Sequence, residues 1–154
     1  MRDVHEWFGS YSADHQNPTN RAIHWLCVPV ILWCVVAFLW LVPVPENIGR
    51  AGLWAAAAML TVFVFYLRLS RPVALAMAIV FIACAVICEA LLRLLGPTGL
   101  LWLAIGLFVA AWIGQFIGHK IEGRKPSFLT DLAYLLIGPA WLAGKVLRRL
   151  GIRY

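Results

Sequence analysis

AIHWLCVPVILWCVVAFLWL, residues 22–41, is a run of twenty residues whose one strongly polar side chain is His24. As a helix it is about 30 Å long, the thickness of a bilayer's hydrocarbon core. A helix that is apolar all round is buried either inside a large protein or in lipid. Few charges and long apolar runs point to lipid, so the stretch reads as a membrane span, closed by Pro43 and Pro45.

Three further runs have the same character. Residues 51–67 lie between Arg50 and Arg68, two side chains long enough to reach back to the interface. Residues 72–95 begin at Pro72, a residue tolerated in a first helical turn. Residues 100–118 follow the strong turn signal Gly96-Pro97-Thr98-Gly99. A last apolar patch, Leu132 to Gly144, is too short to span and contains Pro139. With its basic tail (Lys145, Arg148, Arg149) it reads as an interfacial or re-entrant helix over about 128–150. The predicted fold is an all-α integral membrane protein: one domain, residues 1–154, with about four transmembrane helices and this C-terminal segment. Composition agrees. The chain is 63% hydrophobic and 13% charged, against about half and a quarter for a soluble domain.

The net charge of +6 does not signal nucleic acid, because the basic residues fall between the apolar runs. Four spans put Arg2, Arg21, Arg68, Arg71, Lys120, Arg124, Lys125, Lys145, Arg148, Arg149 and Arg153 on one side, and Arg50 and Arg93 on the other. That asymmetry predicts both termini in the cytoplasm. The membrane would be the inner membrane of a bacterium or the endoplasmic reticulum of a eukaryote. The N-terminal segment lacks the apolar core of a cleavable signal, so the first span is expected to direct insertion. Cys27, Cys34, Cys84 and Cys88 all sit inside apolar runs and read as buried small hydrophobes, not as a redox or zinc motif. Glu89 and Arg93, one turn apart, predict a structural ion pair near the non-cytoplasmic end. Oligomeric state is left open.

The remaining polar residues gather in two groups. Tyr11, His15, Asn17, Asn20 and His24 stand at the entry to the first span; Gln115, His119 and Glu122 stand at the exit of the fourth. Topology brings both to the cytoplasmic face. Asn20 and His24 share a helix face, as do Gln115, His119 and Glu122. Three imidazoles from two elements, with a carboxylate nearby, suit non-haem iron or zinc, with the amides of Asn20 and Gln115 orienting the rings. Singly, each residue has a plainer reading: Asn20 as a helix N-cap, His119 and Glu122 as a solvated helix end. His5 sits apart in the polar N-terminal segment. Spacing alone leaves four possibilities open: an iron oxygenase, a zinc-dependent lipid hydrolase, a bis-histidine haem protein, and a non-enzymatic membrane module that uses the cluster for packing.

Two ordered stretches add a resemblance. Tyr11-Ser-Ala-Asp-His15-Gln-Asn17-Pro18-Thr-Asn20-Arg21-Ala-Ile-His24, with Val28-Pro29, and Trp112-Ile-Gly-Gln115-Phe116-Ile-Gly118-His119-Lys-Ile-Glu122, with Pro126, resemble the signatures of the 2-hydroxy fatty acid dioxygenase family, whose fungal member acts in phytosphingosine degradation. Cys27 departs from the pattern, where a glycine is expected, and so does Ser127, where an alanine is usual after the proline. The resemblance covers nearly the whole chain. It implies an Fe(II)-dependent enzyme that uses O2 to shorten a 2-hydroxy fatty acid by one carbon (α-oxidation). It implies His15, His24 and His119 as iron ligands, and Glu122 as a ligand, an acceptor for an imidazole N–H or a proton relay. A 2-hydroxy acid chelates through its carboxylate and hydroxyl oxygens and needs the open positions that three ligands leave. Its acyl chain would lie among the helices, and Arg21 or Lys120 would pair with its carboxylate.

Overall fold

Residues 3–125 and 132–154 are described by the structure, a computed structural model. Arg2, Pro126, Ser127 and the first part of the expected interfacial segment, residues 128–131, lie outside the described residues. All regular elements among the described residues are helices: α1 (Val4–Ala13), α2 (Pro18–Trp40), α3 (Leu53–Leu69), α4 (Arg71–Glu122) and α5 (Tyr134–Arg149).

The polar N-terminal segment forms α1. Asp3 and Glu6 build a reciprocal capping box at its start, and Val4, Trp7, Phe8 and Tyr11 bury one face of it. Its hydropathy is low because only that stripe is apolar. The cap of α2 is Asn17, not Asn20: its side chain accepts from the N–H groups of Thr19 and Asn20, and Pro18 takes the first helical position. The helix therefore begins four residues before the apolar run.

α4 is two limbs, 71–95 and 97–122, joined at Gly96. That residue has φ 68° and ψ 173°, a region essentially reserved for glycine. The limbs fold back on each other. Cys84 and Cys88 of the first share a buried cluster with Leu100 and Ala104 of the second and with Trp33, Cys34 and Ala37 of α2. A straight helix would hold residues 84 and 104 about 30 Å apart. The second limb runs antiparallel to α2, so Gly118 meets Asn20 and Gly114 meets Cys27. All four cysteines are buried and free, as expected.

Two helices, α2 and α4, are long and apolar enough to cross a membrane; α3 is a shorter apolar helix. Much of the apolar surface faces outward. Leu75, Ile79, Ile82 and Val86, on one face of the first limb, are 63–70% exposed. Water penalises such a continuous stripe, whereas lipid does not. The Glu89–Arg93 pair forms at 2.7 Å on an exposed surface.

α5 completes the other end. The Tyr66 hydroxyl donates to the Leu136 carbonyl at 2.7 Å, Trp141 Nε1 donates to Ser12 Oγ at 2.8 Å, and Ser10 Oγ and Tyr134 Oη hydrogen-bond at 2.6 Å. These bonds tie α3, α1 and α5 around the entry of α2.

Candidate metal centre

Three elements deliver the histidines. His15 sits in the turn after α1, His24 in the second turn of α2, and His119 in the last turn of α4. All three are buried. One ring nitrogen of each lies within 4.8 Å of the other two. The ring centroids are 4.3 Å apart for His15–His24, 5.1 Å for His15–His119 and 5.0 Å for His24–His119, with the planes steeply inclined to one another.

Hydrogen bonds fix the tautomers. His15 Nδ1 donates to the Tyr11 carbonyl at 2.6 Å, and His24 Nδ1 donates to the Asn20 carbonyl at 2.9 Å. A carbonyl only accepts, so each Nδ1 carries its proton and each neutral ring presents a bare Nε2. Those two Nε2 atoms face each other at 2.9 Å. Two lone pairs at that distance repel unless a cation lies between them. A proton is a poor candidate, because burial pushes the His15 pKa down despite its backbone hydrogen bond and the nearby Asp14 and Glu122 carboxylates. A divalent ion suits the gap: nitrogens about 2.1 Å from one ion and at right angles are about 3.0 Å apart. His119, whose buried Nδ1 has no hydrogen-bond partner among the described residues, would supply a third ligand nitrogen. Three imidazoles with open positions suit iron or zinc. A haem between His24 and His119 does not fit, because centroids 5.0 Å apart leave no room for a porphyrin between the rings.

The supporting groups differ from those expected. The rings are oriented by the backbone carbonyls of Tyr11 and Asn20, not by side-chain amides. Tyr11 stacks on His15 at 4.1 Å and 17°, and burial raises its hydroxyl's pKa well above the ordinary value, so it stays protonated. Glu122 stands outside the histidine trio. Its carboxylate accepts from the backbone N–H groups of Gln16 (2.8 Å) and Asn17 (2.9 Å), and from Asn20 Nδ2 (2.9 Å). It pins the turn that carries His15 and the first turn of α2 to the end of α4. The Arg124–Asp14 ion pair, 3.0 Å, spans the same seam. Gly118 makes the close approach possible, since a Cβ there would collide with Asn20 Oδ1. His5 is remote from the centre and stacks loosely on Tyr154.

The trio stands at the head of a cavity of about 350 Å3. Gln115 lines it beside His119, and its Nε2 is buried with no partner among the described residues. The remaining wall is almost wholly apolar: Val28, Ile31, Leu32 and Val35 from α2, Phe108 and Trp112 from α4, and Tyr134, Leu135, Leu136, Gly138 and Pro139 from α5. Neither Arg21 nor Lys120 lines it. The α5 contribution had no signal in the sequence beyond a short apolar patch.

Comparison with known proteins identifies the family. A family model described as 2-hydroxy-palmitic acid dioxygenase Mpo1-like matches residues 1–150. The chain belongs to the Mpo1-like family. The 2-hydroxy-palmitic acid dioxygenase MPO1 of Saccharomyces cerevisiae is 29% identical over 159 aligned positions, spanning 98% of this chain and 83% of the yeast protein. No solved structure matches the chain. The Mpo1-like match takes in α1 to α5, and so all three histidines and every wall of the cavity.

Proposed function

We propose that this Mpo1-like chain is an Fe(II)-dependent dioxygenase that shortens 2-hydroxy fatty acids by one carbon. In this reading the protein spans the membrane four times (α2, α3 and the two limbs of α4), with both termini and the histidine trio at the cytoplasmic face. The observation that carries it is the pair of bare Nε2 atoms 2.9 Å apart, with a third imidazole beside them at the head of an apolar cavity. The name of the yeast relative supports the substrate class.

His15, His24 and His119 would hold the iron. When bound, the metal supplies open positions for a chelating 2-hydroxy acid and redox chemistry toward O2. One O2 with R–CHOH–COOH balances to R–COOH, CO2 and water, so the reaction requires no outside reductant. The carbonyls of Tyr11 and Asn20 hold the imidazoles in the ligating tautomer throughout. Gln115 Nε2 donates to an oxygen of the substrate's head, which provides the partner that this buried amide otherwise lacks. The Tyr11 hydroxyl keeps its proton and serves as a neutral wall. The apolar walls take up the acyl chain and keep water from the reacting carbons. Glu122 acts through the fold, by holding Asn17 and Asn20.

A direct test follows substrate and gas together. Purified protein supplied with Fe(II) and 2-hydroxypalmitate should consume O2 and release the acid one carbon shorter, and a chelator should stop both. Turnover supported by zinc in the absence of O2 would replace this reading with a metal-dependent hydrolase.

A further inference from the structure

The cavity wall has a pattern that the chemistry above does not use. On α2 it is lined by His24, Val28, Ile31, Leu32 and Val35; on the second limb of α4, by His119, Gln115, Trp112 and Phe108. Counted from the histidine, both helices place lining residues at offsets of four, seven and eleven. That spacing keeps each set on one helix face, and the two helices run antiparallel. The cavity is thus a slot with histidines at one end and Val35 and Phe108 at the other. It stops there for a structural reason. The Phe108 ring is backed by Phe38, edge to face at 5.5 Å. Behind them Cys34, Ala37 and Ala104 are fully buried and bring the helices together.

We infer that Phe108, backed by Phe38, is the end wall that sets which acyl chain length the slot accepts. This rests on the reading of the cavity as a fatty acid site. Eleven residues of helix are about 16 Å on either wall. An extended alkyl chain of bonds about 1.5 Å long advances about 1.3 Å per carbon, so about twelve carbons fit between the histidines and Phe108. With the two head carbons the acid has roughly fourteen or fifteen carbons at contact. Each methylene buried before the wall raises affinity up to about four-fold, and methylenes past it add little.

The test measures binding of unreactive straight-chain fatty acids of graded length, by displacement of a fluorescent fatty acid. It requires neither metal nor turnover. In the native protein, affinity should climb with length and level off near the predicted contact. Phe108→Ala should move that plateau longer by about two or three carbons. Ile31→Trp, which blocks the slot one turn earlier, should move it shorter by about four. Turnover of the matching 2-hydroxy acids should shift in the same directions. Should Phe108→Ala not fold, Phe108→Leu and Ile31→Trp carry the test. A plateau unchanged in folded variants overturns the end-wall assignment and leaves the enzyme reading intact. Shifted plateaus without turnover of any 2-hydroxy acid overturn the enzyme reading and leave the end wall standing.

Discussion

Which nitrogen of each imidazole bears a proton decides what the histidine cluster can do. In His15 and His24 a backbone carbonyl one turn back claims Nδ1–H, which leaves the Nε2 lone pairs free to ligate the proposed metal. Replacing any one of His15, His24 or His119 with alanine should reduce bound metal to background and abolish turnover, checked by metal analysis beside a thermal unfolding curve that shows the variant folded. Glu122 should behave differently, because it touches the turn and not the trio. Glu122→Gln keeps the shape and loses the charge that strengthens three hydrogen bonds. It should cost about 1–2 kcal/mol of stability and weaken metal binding about ten-fold or more, read from unfolding and metal titration of the same sample. Much of this site is legible in the sequence. His24 one turn after Asn20, and His119 one turn after Gln115, announce shared faces, and topology brings them together. The orienting groups are not legible, since they are main-chain carbonyls that every residue possesses. Asn17 takes the N-cap in place of Asn20 because Pro18 after it is suited to open a helix, a local rule that a hydropathy window does not register.

Among the elements, the hairpin in α4 depends most on one position. Gly96 adopts φ 68° and ψ 173°, and a Cβ at that conformation costs about 1–3 kcal/mol. Gly96→Ala should lower the unfolding temperature and loosen the contact between the limbs, while Thr98→Ala, in the same turn, should change little. Calorimetry of the two variants in one detergent checks this. The Gly-Pro-Thr-Gly signal marks this turn plainly in the sequence, and the four apolar runs mark the helices on either side. α1 and the start of α5 are harder to see. Each buries a stripe against other helices, and neither carries an apolar run long enough to span a bilayer; Asp3 and Glu6 at capping-box spacing are the one local sign of α1. The slot's two matched sets of lining residues are also written in the sequence, but they gain meaning only once α2 and the second limb are known to be antiparallel partners.

In the molecule as a whole, a body with an outward apolar surface carries a polar centre at one end. The outward apolar stripe and the distribution of basic residues support the same orientation. Cysteines introduced at Glu46 and Lys125, both exposed, should react with an impermeant thiol reagent from opposite sides of the membrane, Lys125→Cys from the cytoplasm; labelling of both from one side contradicts the four-span topology. The four native cysteines are buried and provide a quiet background. The central claim is that the three histidines exist to hold iron. The measurement that tests it most directly is the metal content of protein purified without oxygen, beside His24→Ala. About one iron per chain is expected in the native protein and none in the folded variant. Stoichiometric zinc, or a folded native protein that stays free of metal after incubation with Fe(II), contradicts it.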